Sequence, residues 1–236
     1  MVRFVDLARA AFVATLVSAQ KTALIIVDMQ NDFAAPTGSL SVAGGESIIP
    51  TINKLRAKGH WDLIVTTQDW HPKNHVSFYS TFAKEPNAKM YQPYVLPNGD
   101  EQVLWPDHCV QGSKGAEFHK DLVRAPSDVI IQKGMNVSLD SYSALLENDH
   151  ATKTKLSGIL DKAGVTHLAV TGLAFDYCVG STAYDANTMF GYEVTLITDA
   201  TASVASASQA TMEAQLADAG ITFKTADEYL KIKRQW

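Results

Sequence analysis

The chain has 236 residues, 46% of them hydrophobic and 19% charged, which is the composition of a globular protein with room for one large α/β domain and no need for a second. A formal charge of −5 and a pI near 5.8 give no general pull toward nucleic acid or an anionic membrane, so a small molecule is the expected partner. Two cysteines, Cys109 and Cys178, allow one disulfide at most and exclude a secreted miniprotein built on bridges.

The first twenty residues, MVRFVDLARAAFVATLVSAQ, carry an early positive charge, an apolar run from Ala10 to Val17, and the small residues Ser18 and Ala19. Two readings stand. One is a secretory signal cleaved after Ala19, which would place the protein outside the cell; the other is an amphipathic extension of a cytoplasmic domain, favoured by Asp6 and Arg9, which shorten the apolar stretch. The run is too short and too charged to span a bilayer, which needs about 20 apolar residues. Asn136-Val137-Ser138 is a glycosylation sequon only in the secreted case. Residues 21–236 read as a single domain.

Ala23 to Val27 is a short apolar run ending at Asp28, the pattern of a strand buried on both faces. A helix is predicted from Glu46 to Lys58 with Gly59 as its stop, then strands at Leu63 to Thr67 and Val129 to Gln132. Leu156 to Ala163 reads as a helix closed by Gly164, His167 to Thr171 as a fourth strand, and Tyr177 to Phe190 as a helix closed by Gly191. Glu193 to Thr198 gives a fifth strand, Gln209 to Ala219 a helix ended by Gly220, and Thr222 to Lys224 a sixth strand before a short terminal helix. Strands alternating with helices predict a doubly wound α/β fold, a mainly parallel six-stranded sheet with helices on both faces. The exception is Trp70 to Cys109, which holds five of the eight prolines and three histidines with little helical periodicity. A long insertion of that kind is usually functional, and its aromatic content favours an ordered loop.

Ligands of open parallel sheets sit at the carboxyl ends of the strands. Standing there are Asp28 after the first strand, Asp69 and His71 after the second, Lys133 after the third, and Cys178 at a helix start after the fourth. A thiol at a helix N-terminus is favoured as thiolate by unpaired N–H groups, which also suit an oxyanion. Taken singly, a lone cysteine is more often core than catalyst, a lysine is usually a solvated loop residue, and an aspartate commonly caps a turn. Together an acid, a cation and a thiol at adjacent strand ends form a nucleophile and base with a charge partner. Asp69 and His71, two apart in extended chain, face one way, and His108 could complete a two-histidine, one-carboxylate site for zinc, iron or manganese. The competing reading is that these groups only hydrogen-bond turns of a proline-rich loop. Cys109, adjacent to His108, should point away from any such ion and reads as structural.

The segments VDMQNDF (Val27 to Phe33), TQDWHP (Thr67 to Pro72), LWPDHCVQGSKGAEF (Leu104 to Phe118), QKG (Gln132 to Gly134), DSYSAL (Asp140 to Leu145) and GLAFDYCV (Gly172 to Val179) resemble, in order, the nicotinamidase family of the isochorismatase-like hydrolases. The resemblance runs from about Thr22 to Tyr229. It implies a triad of Asp28, Lys133 and Cys178, a divalent metal on Asp69, His71 and His108, and His75 as either a fourth ligand or a supporting residue. It implies an oxyanion hole from the N–H groups of Ala174 and Cys178, beside a cis peptide between Leu173 and Ala174. Phe33, Trp70 and Tyr142 match aromatics that enclose a pyridine ring. The implied activity is hydrolysis of nicotinamide to nicotinate and ammonia, a step in NAD salvage, with pyrazinamide also accepted; self-association is left open. Leu145 stands where the family commonly has phenylalanine. The alternative within the superfamily is an amidohydrolase of carbamoyl or ureido substrates. A silent binding module would be expected to lose a triad member, a thioredoxin-like protein would show C-x-x-C, and a dinucleotide enzyme would show G-x-G-x-x-G after the first strand. None of these features is present.

Overall fold

The computed structural model describes residues 20–232. The segment read as signal or extension therefore lies, apart from Gln20, outside the described residues. In chain order the elements are β1 (Lys21–Val27), α1 (Asn31–Ala34), α2 (Ile49–Lys58), β2 (Leu63–Asp69), α3 (Tyr79–Phe82), β3 (Pro93–Val95), β4 (Glu101–Val103) and β5 (Val129–Lys133). They continue as α4 (Leu156–Ala163), β6 (Val165–Leu173), α5 (Gly180–Thr188), β7 (Glu193–Ala202), α6 (Ser206–Asp218), β8 (Thr222–Lys224) and α7 (Ala226–Ile232). Six strands form one sheet in the order β5-β2-β1-β6-β7-β8, and every neighbouring pair is parallel.

Period-two alternation along β1 shows why the fold has two helical layers. Leu24 and Ile26 pack with Ile49, Ile52 and Leu55 of α2 and with Tyr229 and Leu230 of α7. Ala23, Ile25 and Val27 face the other side, against Leu156 and Leu160 of α4, Ala183 and Ala186 of α5 and Leu216 of α6. These β1 residues are wholly buried, and each large aliphatic side chain so placed contributes about 1.5–3 kcal/mol of transfer free energy. No helix among the described residues is long and apolar enough to cross a membrane.

The chain leaves β1 toward β2 and β5, then returns through β6 on the opposite side of β1. The topological switch point thus lies between β1 and β6, where the carboxyl ends of neighbouring strands diverge and open a crevice. The stretch from Trp70 to Cys109 is ordered and carries one short helix, α3, and the antiparallel β3–β4 hairpin. Neither was legible in periodicity, because each spans only three or four residues.

Candidate active site and metal-binding residues

Asp28 follows β1 in a left-handed backbone conformation, φ 45°. Its N–H donates to Thr67 Oγ1 (3.0 Å), and the same hydroxyl donates to Asp28 Oδ1 (2.6 Å). Lys133 closes β5 in register with Asp69 of β2, two strands away from β1, and only a long side chain reaches across that gap. Its Nζ lies 2.5 Å from Asp69 Oδ1, 3.0 Å from Asp28 Oδ2, 2.8 Å from the Ser141 carbonyl and 3.4 Å from Cys178 Sγ. The lysine is completely buried, as is Asp28. Asp28 Oδ2 has no aligned hydrogen-bond donor, so beyond its ion pair it keeps capacity to accept a proton.

The ionisation pattern follows from this cluster. Burial alone would lower the Lys133 ammonium, but Asp28 and Asp69 hold it well above the usual lysine range. Burial would raise Asp69, yet Lys133 and His71 keep it well below the usual carboxylate range. Burial does raise Asp28, to about 6, against the opposing pull of Lys133. Cys178 is pushed well up by burial, with Lys133 opposing and the two carboxylates adding to the rise. Desolvation beside two carboxylates thus works toward the protonated thiol, with Asp28 placed to take its proton.

Cys178 sits in a π turn, Phe175–Val179, just before α5, so the helix predicted from Tyr177 is regular only from Gly180. The Ala174 carbonyl accepts the N–H groups of both Tyr177 (3.1 Å) and Val179 (3.0 Å), which widens this turn. The Leu173–Ala174 peptide is cis. Asp176 anchors the turn from outside by accepting the N–H groups of Val204 (2.9 Å) and Ala205 (3.1 Å) and the Ser208 hydroxyl (2.5 Å).

Asp69, His71 and His108 each bring one donor atom into a group within 4.8 Å of one another. His71 Nδ1 donates to the Gly134 carbonyl (2.8 Å) and His108 Nδ1 to the Pro106 carbonyl (2.7 Å). Those bonds fix the tautomers, so both Nε2 lone pairs are left toward Asp69 Oδ2, at 3.5 Å and 4.0 Å. Gly134 is left-handed, φ 61°, and a Cβ there would collide with the His71 ring. Two neutral-capable imidazoles and one carboxylate, each held by a second partner, fit a divalent metal ion. His75 stacks on His71, ring centroids 4.1 Å apart. It also falls with His71 and Asp140 in a second group of mutually close donor atoms. However, its Nδ1 accepts the Ser77 N–H (3.3 Å) and its Nε2 faces the Leu139 carbonyl (3.3 Å), so both ring nitrogens are engaged and the geometry favours a supporting residue over a fourth ligand. Cys109 is fully buried in the core.

A small cavity, with room of about 30 Å³ for water-sized groups, opens over these groups, bounded by Asp69, His108, Ala174 and Cys178. Phe33 and Tyr142 line it as expected, but Trp70 does not; Trp105 and Tyr177 supply the further aromatic walls. By alternation, Asp69 and His71 turn toward the ligand side and the side chain between them turns the other way; Trp70 packs, half-buried, against the apolar cluster that also holds Phe33 and Trp105. Trp105 donates Nε1–H to the Tyr142 hydroxyl (3.1 Å) and meets the Tyr177 ring edge-on, 4.8 Å between centroids. Its signal in the sequence was its place three residues before His108. We expect Trp105→Ala to raise KM for an aromatic substrate by roughly tenfold, from about 1.5 kcal/mol of lost ring contact. Trp70→Phe should leave KM within about twofold, since it alters a wall the ligand does not touch. Steady-state kinetics of the two variants decides between them, and a larger effect at Trp70 would restore the original assignment.

Comparison with known proteins adds to this geometry. An isochorismatase domain matches residues 22–228. The nicotinamidase of Acinetobacter baylyi is 46% identical over 170 residues, 72% of this chain and 76% of that protein. A solved nicotinamidase and pyrazinamidase of Acinetobacter baumanii is 40% identical with a TM-score of 0.81, covering 89% of this chain and 98% of that one. The pyrazinamidase of Pyrococcus horikoshii, solved in complex with zinc, is 34% identical with a TM-score of 0.69, covering 87% and 99%. The chain belongs to the isochorismatase family, among the relatives that include the nicotinamidases.

Proposed function

We propose that this protein hydrolyses nicotinamide to nicotinate and ammonia through a thioester on Cys178, with pyrazinamide as a second substrate. The observation that carries the reading is Lys133: one buried ammonium touches Asp28, Cys178 and Asp69, joining a nucleophile and its base to the metal-binding group. The ring rests among Phe33, Trp105, Tyr142 and Tyr177. Asp69, His71 and His108 would hold a divalent ion, which would supply a Lewis acid for the pyridine nitrogen. Zinc suits this donor set and is the ion in the Pyrococcus horikoshii pyrazinamidase; iron and manganese are the alternatives.

Asp28 accepts the thiol proton as Cys178 Sγ bonds to the carboxamide carbon, and the Lys133 ammonium offsets the charge that forms on sulfur. The N–H groups of Ala174 and Cys178 receive the oxyanion. Asp28 returns the proton to nitrogen as the C–N bond breaks and ammonia leaves. A water then loses a proton to Asp28 and attacks the thioester carbon; the C–S bond breaks, nicotinate is released, and the proton goes back to sulfur.

Ring analogues test the whole arrangement. Nicotinamide should exceed picolinamide, isonicotinamide and benzamide in kcat/KM by about a hundredfold or more, because moving the amide by about 1 Å from its attack position can cost that much. Ammonia release from the four amides measures it. Equal turnover of benzamide and nicotinamide would remove the role of the ring nitrogen and favour a carbamoyl or ureido substrate.

A further inference from the structure

Among the polar side chains of the turn after β1 that the proposed chemistry leaves unused are Gln30 and Asp32. Both are directed at backbone. Gln30 accepts the Asp69 N–H at Oε1 (2.8 Å) and donates Nε2–H to the Asp69 carbonyl (2.8 Å), as a neighbouring strand would. Asp32 accepts the Cys109 N–H at Oδ2 (2.7 Å) and the Ser39 N–H at Oδ1 (3.3 Å).

Cys109 is the junction of the two histidine segments. It follows His108 directly, and its backbone is left-handed, φ 46°, a conformation that a residue bearing a Cβ resists. Its carbonyl accepts the His71 N–H (3.1 Å), and the His71 carbonyl accepts the Gln111 N–H (2.9 Å), which closes a parallel bridge between the segments. The loop after it is shaped around the carboxylate: a Cβ on Gly115 would collide with the Asp32 carboxyl group, and the Gly115 carbonyl accepts the Asp32 N–H (3.0 Å). Asp32 itself does not line the cavity.

We propose that Asp32 is a positioning residue of the metal site, holding the left-handed Cys109 turn through its N–H so that His108 and His71 present their Nε2 atoms together toward Asp69. The proposal rests on the reading of Asp69, His71 and His108 as metal ligands. A carboxylate accepting a backbone N–H makes a charge-assisted bond, stronger than a neutral acceptor would make. Loss of the bond should free Cys109 to relax toward negative φ, which rotates the adjoining His108 away from His71. Glycine at 109 would occupy positive φ unaided, so it should make Asp32 less necessary.

The test measures Zn²⁺ affinity of the metal-free full chain by competition with a chromophoric chelator, together with the melting temperature of the metal-free form. Asp32→Ala should weaken Zn²⁺ by about a hundredfold and the near-isosteric Asp32→Asn by about tenfold, the range seen when outer contacts of metal ligands are removed. The double variant Asp32→Ala with Cys109→Gly should regain about tenfold of that loss. Parental affinity in both Asp32 variants, or in Asp32→Asn should the alanine variant not fold, overturns the proposal. So does a lowered melting temperature with unchanged affinity, the mark of a merely structural residue. His108→Ala separates the two readings: if it binds Zn²⁺ as the parent does, the metal site itself is wrong; if it loses Zn²⁺ while Asp32→Ala keeps it, only the role of Asp32 falls.

Discussion

Cys178→Ala should lower nicotinamide hydrolysis by roughly 10⁴- to 10⁶-fold, the loss expected when a covalent nucleophile is removed from a unit that acts together. Metal binding should be unchanged, because Cys178 is not one of the three proposed ligands, Asp69, His71 and His108. The fold should also persist. The side chain belongs to the buried apolar cluster but also borders the cavity, so truncation enlarges an existing opening. Lys133 keeps Asp28, Asp69 and the Ser141 carbonyl after the change, leaving no uncompensated buried charge. Ammonia release, zinc content and melting temperature measured on one preparation check the three expectations together. Turnover at a tenth of the parental rate would move the nucleophile elsewhere, and the other thiol, Cys109, is sealed in the core with burial pushing it well above the usual thiol range.

The parts of this arrangement that were legible in the sequence are those governed by short periodicities. Alternation and continuous apolar runs mark all six strands of the main sheet, and Leu156 to Ala163 with Gly164 reads as a helix because its αL stop is a glycine, φ 71°. Strand ends then bring Asp28, Asp69, Lys133 and Cys178 together, since a parallel sheet puts them on one edge. What stayed hidden depends on contacts between segments distant in the chain. Thr67 orients Asp28 because β1 and β2 are neighbours, which no local pattern announces. Trp70 matches a ring-enclosing aromatic through the family resemblance, but it lies between two side chains that turn toward the ligand side, and Trp105, distant in the chain, lines the cavity instead. The bias toward the protonated thiol is likewise a property of the assembled site: dipole and lysine are visible in the sequence, whereas the depth of burial that opposes them is not.

Asp28→Asn should reduce kcat/KM by about 10²- to 10⁴-fold by removing the base, and its pH dependence should distinguish that role from simple disruption. In the parent the carboxyl titrates near 6, raised by burial and partly held back by Lys133. A base must be deprotonated to work, so parental kcat/KM should rise about tenfold per pH unit below 6 and level off above it. The asparagine variant has no such limb. Stability runs the other way. Because the folded carboxyl titrates at about 6 rather than at 3.8, folding favours its protonated form, and that contribution is full below about 4 and lost as the pH rises through 6. At pH 8 the ionised, desolvated Asp28 therefore lowers the stability of the parent relative to its protonated form. Asparagine mimics the neutral acid, and Asp28→Asn should therefore be the more stable protein at pH 8, with the difference closing toward pH 4. Denaturant unfolding at the two pH values, beside the rate profile, measures both sides. A variant that is less stable than the parent at pH 8 would mean that Lys133 depends on Asp28 more than the carboxylate suffers from burial. A parental profile flat through pH 6 would mean that another group accepts the thiol proton.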